Sequence, residues 1–108
     1  IFPGINLSKN SLIHNTALLK NTDVVKTRKV VGKNTKESIR SGFYWGYVSA
    51  VNGIIEKITN EKKFKPKIIL TGGLANIFKT DIRPKPLIKQ NLTLEGLQVI
   101  GLRYYAKN

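Results

Sequence analysis

The stretch that decides the fold runs from Gly32 to Ile58: G-K-N-T-K-E-S-I-R-S-G-F-Y-W-G-Y-V-S-A-V-N-G-I-I-E-K-I. It opens on a helix start signal. Asn34 is a residue type that caps free backbone N–H groups, and Glu37, three residues on, can reach back toward the cap in a variant of the capping box. From Ile39 onward, Ile39, Phe43, Tyr47, Ala50, Ile54 and Ile58 recur at spacings of three and four, the helical period. Tyr44, Val48, Val51 and Ile55 widen that stripe to roughly half the circumference, more than one buried face requires. The expectation is a helix packed on two sides, one against its own sheet and the other against a further subdomain or a second subunit. Gly42, Gly46, Ser49 and Gly53 form a stripe of small residues along one edge. Glycine inside a helix costs about 1 kcal/mol relative to alanine, so this stripe predicts close backbone packing. The Gly-Lys-Asn-Thr turn stands at the positive end of the helix dipole, which suits an anionic ligand.

Working outward, the chain has 108 residues, enough for one domain with one core. It begins with Ile1 and contains no methionine, which leads us to expect a fragment or a processed chain. No stretch resembles a signal peptide, and the apolar runs fall short of a membrane span. Cysteine is absent, which excludes disulfides, thiolate metal sites and a cysteine nucleophile. The formal net charge is +13, and a polyanionic partner is one reading of it. Against that reading, the lysines are spread from Lys9 to Lys107, with only Glu61 to Lys67 as a local cluster. Arginine, the better fork for phosphate, stands only at Arg28, Arg40, Arg83 and Arg103. Composition therefore favours a scattered basic surface over a dedicated nucleic-acid module.

Upstream of the long helix, Ile1-Phe2-Pro3-Gly4 reads as the end of a strand followed by a turn. Ser8 or Asn10 could cap a short helix through about Leu19, with Leu12, Thr16 and Leu19 on one face. His14, the single histidine, lies within it, with neither a carboxylate nor a second histidine nearby, and reads as an ordinary helix residue. Asn21 to Val31 reads as a loop. Downstream, the long helix should end near Thr59-Asn60, and Pro66 marks a boundary. Lys67-Ile68-Ile69-Leu70 has the continuous apolar pattern of a strand buried on both faces of a parallel sheet. It stops at Thr71-Gly72-Gly73, after which Leu74, Ala75, Ile77 and Phe78 resume a helical period. Strand, Gly-Gly, helix is a turn at the carboxyl end of a strand, where open α/β sheets bind ligands, although many such turns use Gly-Gly merely to turn. Thr80 to Gln90 is irregular, with Leu87-Ile88 as a short strand. Asn91-Leu92-Thr93 leads into a last helix with Leu94, Leu97, Ile100, Gly101 and Tyr104 on one side. The order is turn–α–loop–α–β–α–β–α, in one α/β domain over 1–108.

Four landmarks stand in this order: Pro3-Gly4, G-K-N-T at Gly32 to Thr35, T-G-G at Thr71 to Gly73, and N-L-T-L-E-G-L at Asn91 to Leu97. Together they resemble the C-terminal part of type III pantothenate kinases, over nearly the whole chain. The match departs after Leu18-Leu19, where the family has proline and this chain has Lys20. The resemblance implies the C-terminal half of an actin-like, ribonuclease H-like ATPase domain, in the acetate and sugar kinase, heat-shock chaperone and actin superfamily. It implies ATP-dependent phosphorylation of pantothenate, the first step toward coenzyme A, by a cytoplasmic homodimer. ATP would act with a divalent cation, and a monovalent cation, potassium or ammonium, would assist. By the same resemblance Thr35 contacts pantothenate, with Asn34 beside it in the substrate-binding segment, and Gly72 and Gly73 line the adenosine side of the nucleotide site. The catalytic and cation-binding aspartates of the family belong to motifs upstream of these landmarks. None of Asp23, Glu37, Glu56, Glu61, Asp81 and Glu95 pairs with another acid, a histidine or a phosphate loop, so no catalytic residue and no metal ligand is assigned here. The chain by itself is then expected to be inactive. Two other readings stand beside this one: a non-catalytic accessory factor of transcription with the same fold, and a basic nucleic-acid-binding module.

Overall fold

The computed structural model describes residues 1–14 and 22–106. The side chains of residues 13 and 14, the continuation of the first helix through Leu19 and the departure at Lys20 lie outside the described residues. The chain forms two compact units, Ile1–Gly53 and Ile54–Asn108.

In the first unit, α1 (Ile5–His14) follows directly on Pro3-Gly4, and the Ser8 N–H donates to the Gly4 carbonyl at 3.0 Å. The helix thus starts earlier than a cap at Ser8 or Asn10 would place it. Ser8 has another use: its hydroxyl lies 2.9 Å from the Tyr47 hydroxyl, which in turn donates to the Pro3 carbonyl at 2.9 Å. A phenol has one proton to give, so Ser8 is the donor to Tyr47. The strand end expected at Ile1-Phe2 is absent. Phe2 instead sets its ring edge on Tyr47, with centroids 5.6 Å apart, and Tyr47 stacks on Phe43 at 6.5 Å.

The loop before the long helix carries no regular structure, as the sequence predicts. It is tied down by the buried Ser41 hydroxyl, which donates to the Val30 carbonyl. Next comes α2 (Thr35–Lys62), 28 residues long. Its stripe is covered unevenly. Tyr44 is 0% exposed and Val48 4%, so residues of this chain already enclose the side that was expected to await a partner. Ile55 is half-buried, while Ile54 and Ile58 remain exposed. The small-residue stripe is also not closed: a Cβ added at Gly42, Gly46 or Gly53 would meet nothing within 4 Å. The close backbone approach that the glycines predict is therefore not made among the described residues.

The second unit begins in the last turns of α2, whose end is turned by Lys63 in the left-handed region (φ 54°). Then follow β1 (Ile69–Leu70), α3 (Ala75–Phe78), β2 (Leu87–Ile88) and α4 (Leu92–Tyr105). The strands pair in parallel, with Ile69 opposite Leu87 and Leu70 opposite Ile88. The Leu87 N–H donates to the Ile68 carbonyl and the Lys89 N–H to the Leu70 carbonyl, both at 2.9 Å. A parallel pair needs a crossover, and residues 71–86, including α3, supply it. Ala75, Phe78, Ile82 and Pro86 form the buried part of that crossover.

The strand is less buried than its sequence predicts. Ile69 is 45% exposed because a sheet of two short strands covers neither of its own faces. The apolar side of α4 is likewise open: Leu94, Leu97, Ile100 and Tyr104 are each at least 60% exposed. The order of elements agrees with that read from the sequence, in a mixed α/β chain rich in helix.

Candidate ligand-binding turns

The first candidate site is the start of α2. The Asn34 side-chain oxygen accepts from the Glu37 N–H at 2.9 Å, and the Asn34 carbonyl accepts from the Ser38 N–H at 2.9 Å. Glu37 replies with both carboxylate oxygens. One accepts from the Asn34 side-chain amide at 3.3 Å, and the other from the Lys33 N–H at 2.9 Å. This is the expected capping box shifted by one residue, since Glu37 reaches the backbone of Lys33, ahead of the cap. Two N–H donors of the helix start, those of Lys33 and Glu37, are thereby satisfied by side chains within the turn. Thr35 is the first residue of α2 and is exposed.

Gly32 makes this turn possible. A Cβ at position 32 would lie 2.4 Å from the Ser38 backbone nitrogen and 2.8 Å from the Glu37 carbonyl carbon. The loop crosses directly over the first turn of the helix, and only a residue without a side chain fits. The sequence shows Gly32 as the first letter of a motif; that it is pinned against Ser38 is visible only in three dimensions.

The second candidate site is the turn after β1. Gly72 holds φ at +91°, in the left-handed region, and its carbonyl accepts from the Ala75 N–H at 3.2 Å. Both Gly72 and Gly73 are exposed, and a Cβ at either would meet nothing within 4 Å. Space for a ligand therefore exists over the turn. The first turn of α3 carries no side-chain cap.

The carboxylates are engaged locally. Asp23 stands 3.8 Å from Lys9, Glu61 2.9 Å from Lys62 and Glu95 3.4 Å from Lys89. Asp81 accepts from the Thr80 hydroxyl at 3.0 Å, and Glu56 is exposed on α2. Among the described residues no three His, Cys, Asp or Glu side chains gather where they could hold a metal ion. None of the helices, so far as they are described, is long and apolar enough to cross a membrane.

A mixed α/β chain with a side-chain-capped long helix and a strand–Gly-Gly–helix turn has the elements of part of an α/β kinase. Comparison with known families specifies which. The model of the family described as Type III pantothenate kinase matches residues 1–57. The chain belongs to that family. A protein of Halalkalibacterium halodurans named Type III pantothenate kinase is 40% identical over 108 residues, covering all of this chain and 41% of the relative. Similar proteins of the same name occur in Persephonella marina, 43% identical over 97 residues (90% of this chain and 38% of the relative), and in Pelagibacter ubique, 36% identical over 97 residues (90% and 39%). The chain spans about two fifths of the length of the curated relatives it matches.

Proposed function

We propose that this chain is the C-terminal part of an enzyme that transfers the γ-phosphoryl group of ATP to pantothenate, within an actin-like ATPase domain. The observation that carries the reading is the match along all 108 residues to a protein named Type III pantothenate kinase. Thr35 holds pantothenate from the first position of α2, beside Asn34, and Gly72 and Gly73 line the adenosine side of the nucleotide site. The geometry of each turn supports its role. The side chains of Asn34 and Glu37 hold the helix start in place, so the exposed hydroxyl of Thr35 projects from a fixed frame. At the other turn, the open space over Gly72 and Gly73 admits a ligand against bare backbone.

Phosphoryl transfer depends on positioned cations and on a group that orients the attacking hydroxyl. The described residues do not fit a metal ion, since their carboxylates are dispersed and engaged with neighbouring cations and caps. The divalent ion that accompanies ATP and the monovalent cation therefore fall to parts of the family's length that this chain does not span. The same holds for the catalytic aspartate. The complete enzyme is proposed to be a cytoplasmic homodimer, with the exposed Ile54 and Ile58 among the residues left for other surfaces to cover.

Two preparations test this. The 108-residue chain alone should show no ATP-dependent phosphorylation of pantothenate above a mock preparation. The same chain joined to the part of the Halalkalibacterium halodurans relative that it does not span should turn over. Activity of the chain alone would remove the proposal that the catalytic groups lie elsewhere, and a folded but inactive hybrid would count against the kinase reading itself.

A further inference from the structure

We draw no further inference here: the strongest candidate, the apolar hollow of about 420 Å³ between α1 and α2 that the Phe2, Phe43 and Tyr47 rings line beside Gly42 and Gly46, carries nothing, because nothing in the structure shows what covers it.

Discussion

Two glycine turns in this chain use the same residue for opposite reasons. At Gly32 the missing side chain is a matter of contact, since the backbone of Ser38 already occupies the place of a Cβ, 2.4 Å away. At Gly72 and Gly73 nothing stands within 4 Å of that place, and what distinguishes Gly72 is its φ of +91°. Gly73 has neither constraint. A glycine held by packing or by dihedral angle is explained by the fold alone. Open space and ordinary dihedrals are also found at Gly42, Gly46 and Gly53, so at Gly73 they leave room for a ligand without requiring one.

The largest effect should come from Gly32→Ala. The new methyl would press on backbone atoms of the α2 first turn rather than on a yielding side chain, so overpacking should cost about 1–3 kcal/mol. Urea unfolding of the 108-residue chain followed by circular dichroism checks this. An unchanged midpoint would show that the loop does not cross α2 so closely. Gly72→Ala should follow, at about 1–2 kcal/mol, from placing a Cβ in the left-handed region. A loss much smaller than that would mean the turn readjusts out of positive φ.

Gly73→Ala should move stability least, by less than about 0.5 kcal/mol, because the side chain enters open space. The same substitution in the hybrid enzyme should raise the KM for ATP while leaving that for pantothenate alone, if backbone meets nucleotide at this turn. Equal KM values in variant and parent would reduce Gly73 to a turn residue and leave the comparison of the two turns without a functional side.

The difference between the turns also shows what could be read in advance. The start of α2 was legible because capping is local: Asn34 and Glu37 are three residues apart, and their hydrogen bonds form as that spacing predicts, one residue displaced at the Lys33 N–H. The order of elements was legible for the same reason, since the period and the turn residues are properties of short segments. Burial was not. Ile69, in the middle of an apolar run, and the leucines of α4 lie exposed where their pattern reads as buried, while Ile68 and Leu70 are half-buried. Conversely, Tyr44 and Val48 are enclosed although their stripe suggested a face awaiting a partner. The part played by Tyr47, linking Ser8 and Pro3 across some forty positions, depends on contacts that no local pattern encodes. Of the candidate sites, the two turns were legible as turns from local motifs, whereas the roles given to Thr35, Asn34, Gly72 and Gly73 rest on the family resemblance.

The role of Thr35 is the most direct point of attack on the kinase reading, because the cap does not depend on its hydroxyl. In the hybrid enzyme, Thr35→Ala leaves the hydrogen bonds among Asn34, Glu37 and Lys33 in place, so stability should change little. Loss of one hydrogen bond to a bound substrate is worth about 0.5–1.5 kcal/mol, which corresponds to a KM for pantothenate raised about three- to tenfold. The KM for ATP should stay within experimental scatter. A variant that melts markedly earlier yet keeps its KM for pantothenate would contradict the account and show Thr35 to be part of the helix start and nothing more.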